Sequence, residues 1–169
     1  MKKLLKVTIV AVMLIIAGNV NAQEKKPASP AEKATGTING STITINYSSP
    51  SVKGREIWGA LVPYGKVWRA GANDATTFTT TKDIMVEGKK LPAGTYSFFV
   101  IPEKDAATII FNKEAKQWGA YKYDESKDKI RVKVKPKKSA TMNERLVYKV
   151  NNNNITLSWE NWDIPVMIK

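Results

Sequence analysis

Short apolar or alternating runs, each ended by turn-forming residues, recur about every ten residues from residue 35 to the C-terminus. Alternation with a period of two places apolar side chains on one face of a strand, whereas a helix needs a period near 3.6. The one helical candidate is a single turn near residues 53–59. About eleven short strands predict an all-β fold, a two-layer antiparallel sandwich of jelly-roll or immunoglobulin-like type.

Two of these segments carry the clearest signals. Asn39-Gly40 lies inside the alternating segment 37–47, and this dipeptide favours the tight turn of a hairpin. Residues 95–101 are too apolar for a strand with one solvated face and end at Pro102, which predicts a central core strand. The other expected strands are 76–80, 84–86, 108–111, 118–123, 129–134, 145–150, 155–159 and 164–168, with a turn at 151–154.

The N-terminal segment has the three parts of an export signal. Lys2, Lys3 and Lys6 precede an almost wholly apolar stretch, and small residues precede a cleavage point after Ala22. The apolar run of about fourteen residues is shorter than the roughly 20 that a membrane-spanning helix needs, and no cysteine is present to carry a lipid anchor. We therefore expect a signal peptide at 1–22, a flexible leader at 23–34, and one domain at 35–169, exported to the periplasm or secreted, without a transmembrane anchor.

The sequence contains neither cysteine nor histidine. This excludes disulfides, thiol nucleophiles, Ser-His-Asp triads and zinc sites built on thiolate or imidazole. Asp124, Glu125 and Asp128 lie close together, but the glycine and the spacing of a calcium-binding loop are missing. The sequence therefore predicts no metal site and no cofactor.

The chain is strongly basic, with a formal net charge of +12, and removal of the three lysines in residues 1–22 would leave +9. Lys129, Arg131, Lys133 and Lys135 alternate along one predicted strand. We interpret them as a solvated face that protects a sheet edge; the alternative is a patch for anionic glycans or lipid headgroups. Nucleic acid is not an expected partner, because no recognised binding motif is present. The oligomeric state is left open.

Four segments of the sequence resemble signatures of the DUF2911 family of exported bacterial proteins. They are YSSPSVKGR at 47–55, LVPYGKVWRAGAN at 61–73, LPAGTYS at 91–97, and WGAY at 118–121 followed by Tyr123 and Asp124. The resemblance runs from about residue 35 to the C-terminus and implies an exported β-sandwich. It implies no activity and no catalytic residues, because the family has no established function.

A largely irregular stretch concentrates polar and aromatic side chains between two predicted strands. Loops on a rigid sandwich often carry binding sites. An arginine fork and an amide can hold a planar, oxygen-rich group, while an aromatic ring can stack on it. The candidate ligand-binding residues here are Arg55, Tyr64, Trp68, Arg69 and Asn73. The alternative, which the sequence favours, is that Trp68 belongs to the core and Arg69 is a buried staple bound to a carboxylate or to backbone carbonyls.

A second candidate lies at residues 117–124. On the predicted strand, Tyr121 and Tyr123 share one face and form an aromatic ladder. Such a ladder is typical both of a sugar-binding surface and of a packed core. We add Tyr121 and Tyr123 to the candidate ligand-binding residues and expect Trp118 to be in the core.

Three classes of function are compatible with these residues. The first choice is a binding module for a saccharide or another polar small molecule, with no catalytic residues assigned. An alternative is a structural or interaction domain that uses a sheet edge near residues 151–162, where Trp159 and Trp162 are expected to be exposed. The other alternative is a glycosidase or lyase, for which Asp74, Asp124 and Glu160 are the available acids.

Overall fold

The computed structural model describes residues 27–169. The predicted signal peptide, its cleavage point and the first part of the predicted leader, residues 23–26, lie outside the described residues. Ten strands and one short 3-10 turn form the fold. They are β1 (Ala31–Ile38), β2 (Ser41–Ser48), β3 (Thr77–Thr80), β4 (Ile84–Val86), β5 (Lys89–Leu91), β6 (Gly94–Pro102), β7 (Ala107–Asn112), the turn Glu125–Lys127, β8 (Asp128–Val134), β9 (Lys137–Val150) and β10 (Asn154–Met167).

The strands form two antiparallel layers. The first layer is a six-stranded sheet in the order β1-β2-β3-β6-β7-β8. The second contains the β9-β10 pair, and β4 of the β4-β5 hairpin joins it at the end of β10. Three backbone hydrogen bonds make this junction: Met85 N–H donates to Lys169 O at 2.7 Å, Lys169 N–H donates to Met85 O at 2.8 Å, and Glu87 N–H donates to Met167 O at 3.0 Å. The predicted all-β antiparallel sandwich is confirmed.

The main core lies between the layers. Phe98 and Val100, alternate residues of β6, face it and are at most 1% exposed. The second layer contributes Leu157 and Trp159 from β10, which are 2% and 1% exposed. Because β6 lies in the middle of the sheet and is buried along most of its length, the predicted central core strand is confirmed.

A smaller outer core covers part of the opposite face of the six-stranded sheet. It consists of the buried residues Ala75, Phe99 and Ile110, with the partly buried Val67 and Tyr123 among those packed against it. Phe99 and Ile110 are opposite each other in the β6-β7 register. The loop before β3 and the loop between β7 and β8 supply the covering residues, so two long loops are fixed to the sheet by apolar packing.

The first hairpin forms at the predicted dipeptide. Asn39 and Gly40 have φ angles of 49° and 74°, as a type I′ turn requires at both central positions. β1 begins at Ala31, which pairs with Ser48. The ordered domain therefore starts before residue 35, and residues 31–34 are strand rather than flexible leader, because β2 is long enough to pair with all of β1.

Three local predictions are wrong. Residues 118–123 form turns rather than a strand, since Gly119 has a φ of 61°. No helical turn forms at 53–59; within residues 27–169 the short helical turn is Glu125–Lys127. The segments 155–159 and 164–168 are not separate strands: all of their residues except Ile168 belong to β10, which passes through two register shifts, one on either side of Glu160.

Those shifts allow the strand to bend without ending. Trp159, expected to be exposed, is 1% exposed, and Trp162 is partly buried against the core. No helix among residues 27–169 has the length and apolar character needed to cross a membrane.

Candidate functional site

The outer face of the six-stranded sheet carries a continuous trough. It consists of three adjoining depressions with volumes of about 620, 410 and 460 Å³. The first two share Asp74, Ala75 and Thr77, and the last two share Lys116, Gln117 and Trp118. The trough therefore runs from β1 and β2, past the end of the loop before β3, to the loop between β7 and β8.

Backbone hydrogen bonds fasten the two loops that meet in the middle of the trough. Ala75 N–H donates to Gln117 O at 3.0 Å, and Gly119 N–H donates to Asn73 O at 3.2 Å. Asp74 and Trp118 consequently form an isolated antiparallel bridge. This pairing places a carboxylate-bearing residue beside a tryptophan, although the two are far apart in the sequence.

Two aromatic side chains on the second loop are largely exposed. Trp118 is 63% exposed and Tyr121 is 82% exposed, and both line the trough. A Cβ atom at Gly119 would lie only 3.0 Å from the Tyr121 ring, so glycine lets that ring lie against the backbone. The expectation that Trp118 belongs to the core is wrong, because the turn at Gly119 directs it away from the sheet.

Gln117 anchors the floor of the trough. Its Nε2 donates to Ser97 Oγ at 3.2 Å and to Glu114 O at 2.9 Å. Its Oε1 is buried and has no hydrogen-bond partner among the described residues. Burying a hydrogen-bond acceptor without a partner is unfavourable. A hydrogen-bond donor that reached Gln117 Oε1 would therefore stabilise the structure.

Charged side chains border the trough on both sides. Lys33 and Glu32 line it at β1, while Lys116 and Lys122 line it beside the exposed aromatics. Lys127 pairs with Glu114, with 3.2 Å between Nζ and Oε2. The border therefore offers both hydrogen-bond acceptors and ammonium donors.

Tyr123, a predicted site residue, lies beneath this region and not in the trough. Its hydroxyl donates to Asp128 Oδ2 at 2.6 Å, and its ring meets that of Phe99 edge-on, with 5.1 Å between centroids. Arg131 Nε also donates to Asp128 Oδ2 at 2.6 Å, and its Nη2 donates to the Tyr123 oxygen. Burial and the hydrogen bond to Asp128 raise the pKa of Tyr123 to about 12. This network fixes the loop to the outer core.

Trp68 and Tyr64 lie in an aromatic cluster at one end of the molecule, away from the trough. Trp68 stacks on Trp159 with 5.6 Å between ring centroids, and its Nε1 donates to Gly71 O at 3.2 Å. Tyr64 is 37% exposed and lies 6.4 Å from Trp162, measured between centroids. Trp68 therefore contributes to packing, as the alternative in the sequence analysis proposed.

The two arginines among the candidates have different surroundings. Arg55 Nε donates to Val52 O at 3.0 Å, and its Nη2 donates to Ser51 O, so this side chain closes its own turn. Arg69 is half-buried and its Nε is buried without an acceptor among residues 27–169. The carboxylate or carbonyl partners expected of a staple are not found there; Arg69 Nη1 instead lies 3.8 Å from the position of a Cβ on Gly119.

Asn73 and Tyr121 are the candidates that the structure brings to the trough. Asn73 is exposed, has a φ of 58°, and its Nδ2 donates to Ser48 Oγ at 3.2 Å. Ser48 itself lines the first depression. Asn73 therefore stands at the margin of the trough, at the point where the two loops are joined.

The acids needed for a glycosidase are dispersed. Asp74 lines the trough, but Asp124 caps the Glu125–Lys127 turn, where Ser126 N–H and Oγ donate to its Oδ1 at 2.9 and 2.7 Å. These bonds lower the pKa of Asp124, which opposes a role as general acid. Glu160 lies on β10, in the other layer. No group of three or more metal-ligating side chains is found among residues 27–169.

Sequence reasoning did not identify the polar side chains that β2 and β3 contribute to the trough. Asn46 and Thr77 are register partners on β2 and β3, and both line the first depression. Their neighbours Ile45 and Phe78 face the main core. The alternation of threonine and asparagine with apolar residues in these two strands is the signal that would have placed them on the outer face.

Comparisons with known proteins give one match. A family model described as "Protein of unknown function (DUF2911)" matches residues 29–168. No curated protein and no solved structure matches the chain. The matched range contains both layers of the sandwich, the trough and the aromatic cluster.

Proposed function

The chain belongs to the DUF2911 family, and because that family is one of unknown function, we propose from the geometry of the trough that the protein binds a saccharide or another polar small molecule. The ligand lies along the outer face of the six-stranded sheet. Trp118 and Tyr121 stack on its apolar faces. Asp74, Asn73 and neighbouring polar groups of β2 and β3 bond its hydroxyls.

The observation that carries this proposal is the exposure of Trp118 and Tyr121 on one loop that backbone hydrogen bonds fasten to the loop before β3. Large aromatic side chains are normally buried, and neighbouring exposed ones are typical of interaction surfaces. Here the loop backbone is hydrogen bonded to Asn73 and Ala75, so the rings are presented by a rigid support. A rigid support reduces the entropy lost on binding.

The polar groups around the rings suit a ligand with many hydroxyls. A hydroxyl both donates and accepts hydrogen bonds, and the trough supplies carboxylate acceptors, amides and ammonium donors. The trough crosses β1, β2 and β3 and continues onto the loop between β7 and β8. At about 4.8 Å for each spacing, the strands alone span roughly 10 Å before the loop is reached, so the trough suits a short oligosaccharide better than one sugar.

A glycan array followed by calorimetry tests the proposal. The double variant W118A/Y121A should weaken binding of the array's best ligand by at least about tenfold, since each stacked ring contributes on the order of 1 kcal/mol. Its melting temperature should change little, because both rings are exposed. Met142→Ala, which removes a side chain that is 61% exposed on β9, is the matched control. A blank array, or equal affinities of W118A/Y121A and the parent, would contradict saccharide binding.

The proposal includes export. The three-part signal predicted at residues 1–22 would deliver the domain to a compartment in which polysaccharides are available. The intact mass of protein isolated from the native envelope or medium should correspond to a chain that begins at Gln23. A mass that includes Met1 to Ala22 would contradict cleavage.

A further inference from the structure

A second cleft, which shares no residue with the trough, lies where the β6-β7 turn and the β8-β9 turn approach a bend in β10. Its volume is about 280 Å³. The residues that line it are Lys104, Asp105, Lys135, Pro136, Lys137, Lys138, Asn161 and Trp162. The name lysine cleft is used for this set.

The residues that line the lysine cleft carry more positive than negative charge; a second carboxylate, Asp163, is the register partner of Lys137 but does not line the cleft. Four ammonium groups face one carboxylate, an excess of three positive charges. None of the four lysines forms an ion pair within residues 27–169. The nearby Lys133 does, with 3.2 Å between its Nζ and Glu103 Oε2. Because like charges repel and opposite charges attract, four lysines without an acidic partner around one cleft favour the binding of an anion there.

The cleft is built on stiff supports. Pro136 restricts the turn between β8 and β9, which carries three of the lysines on its two flanks. Trp162 stacks on the buried Trp58, with 4.6 Å between ring centroids and 14° between planes. The register shifts around Glu160 bring Asn161 and Trp162 to the bend of β10 that meets the cleft. Lysine side chains are flexible, but the strands that carry them are hydrogen bonded and the Trp162 indole beside them is stacked.

The residue types select the kind of anion. Arginine, whose planar fork matches a carboxylate, does not line the cleft, whereas lysine is a compact point charge that suits an anion approached from several sides. A phosphate group is tetrahedral, and as a monoester it carries nearly two negative charges at neutral pH. Two or three ammonium groups and the Asn161 amide can each bond a different phosphate oxygen.

We propose that the lysine cleft binds the phosphate group of a phosphate ester, either a soluble one or a lipid headgroup. This site is independent of the trough: its residues, charge and ligand chemistry differ. An export-compartment protein with both sites would attach to a phosphate-bearing molecule at one end and hold a polar ligand on its outer sheet face.

Inorganic phosphate is the first probe, titrated into the protein at constant ionic strength and followed by ³¹P NMR. The test variant is K137Q/K138Q, and K129Q/K149Q is the control, because Lys129 and Lys149 are exposed strand residues that do not line the cleft. Both variants lose two positive charges. We expect phosphate binding to weaken at least about fivefold in K137Q/K138Q and less than about twofold in K129Q/K149Q. Equal weakening in both variants would overturn the site and leave net charge as the cause.

Vesicles distinguish the two sources of the phosphate group. Sedimentation with vesicles of phosphatidylcholine alone is compared with sedimentation when phosphatidic acid is included. Co-sedimentation that requires phosphatidic acid and is lost in K137Q/K138Q identifies a lipid headgroup; phosphate binding without it identifies a soluble ester. Absence of both overturns the proposal. Because W118A/Y121A should bind phosphate normally, failure of this site and failure of the trough are distinguishable.

Discussion

At the scale of single residues, Gly119 controls the surface of the trough. Its left-handed backbone and the 3.0 Å approach of the Tyr121 ring both exclude a side chain. Gly119→Ala should therefore cost about 1–2 kcal/mol of unfolding free energy and displace the Tyr121 ring. Gly54 provides a matched control, because its φ of 67° is similar but no atom lies within 4 Å of its Cβ position.

Denaturant unfolding and ligand titration separate the two effects. Both alanine variants should lose stability, but only Gly119→Ala should also weaken the ligand found by the glycan array. If both variants bind that ligand as well as the parent does, the position of Tyr121 does not matter for binding.

Arg69 gives a second prediction at this scale. The sequence favoured a buried staple, for which Arg69→Lys would be destabilising. The structure instead leaves Arg69 Nε buried without an acceptor among the described residues. Lysine replaces that N–H by a methylene group, so Arg69→Lys should be neutral or stabilise the protein by up to about 1 kcal/mol.

Arg131→Lys is the comparison for this arginine. Arg131 bonds Asp128 Oδ2 and Tyr123, and its Nη1 lies 3.0 Å from Glu125 Oε1. Loss of the fork should cost about 1–3 kcal/mol. Thermal or denaturant melts of both variants measure the contrast, and a clear loss of stability in Arg69→Lys would restore the staple interpretation.

Tyr123 makes the stability of the fold depend on pH in the alkaline range. Its pKa is about 12 in the folded protein and 10.0 in the unfolded chain. The protonated hydroxyl is therefore favoured by folding, and its contribution is complete below pH 10 and is lost as the pH rises to about 12. Relative to Tyr123→Phe, the parent should lose unfolding free energy over this window. A constant difference between the two proteins from pH 9 to 12 would show that the hydroxyl is not coupled to folding.

At the scale of elements, β6 is expected to dominate stability. Phe98 is 1% exposed and packs edge-on against Phe111 and Tyr148, at 5.3 and 6.0 Å between centroids. Phe98→Ala should cost about 3–5 kcal/mol in denaturant unfolding, because it removes a buried ring and leaves a cavity. Met85→Ala, at a position 39% exposed, should cost about 0.5 kcal/mol or less. A loss near that of the control would mean that the core does not depend on β6.

The elements that local sequence determines were predictable. The Asn39-Gly40 turn requires two residues with positive φ, and this dipeptide is suited to that conformation. The apolar run of β6 likewise indicated burial on both faces. The strand predicted at residues 118–123 was wrong for a local reason. Aromatic residues favour strands, and a single glycine does not show whether a strand continues or turns.

β10 was misjudged for a different reason. The sequence around Glu160 resembles a break between two strands, but Glu160 adopts a φ of 51° and the strand continues through a bulge. The bulge changes which residues face the core: Leu157 and Trp159 are buried before it, and Ile164 and Val166, with the opposite parity, are buried after it. Such a shift depends on the pairing with β9, which period-two reasoning on one segment does not include.

At the scale of the whole molecule, the trough is a product of tertiary structure. Glu32, Asp74 and Trp118 line it from segments that are far apart in the sequence. Spacing within any one segment could identify Tyr121 and Asn73 as candidates, but only the sheet order brings β1 and β2 beside the two loops. The same holds for the lysine cleft, whose members come from three separate bends.

The two long loops, held by the small outer core, should form a weaker cooperative unit than the main core. Three buried residues hold the two long loops to the sheet, whereas the main core contains most of the buried side chains. The loops should therefore open without global unfolding, and their amides should exchange with solvent faster than those of β6 and β7.

The amides of Ala75 and Gly119, which join the loops, report this opening in hydrogen-exchange measurements. A ligand that binds to the closed loops would shift the equilibrium between open and closed loops towards the closed state. Ligand binding in the trough would then slow amide exchange in the two loops but not in the main core. Any substitution that loosens or tightens the packing around Phe99 and Ile110 would also change the affinity of the trough for its ligand.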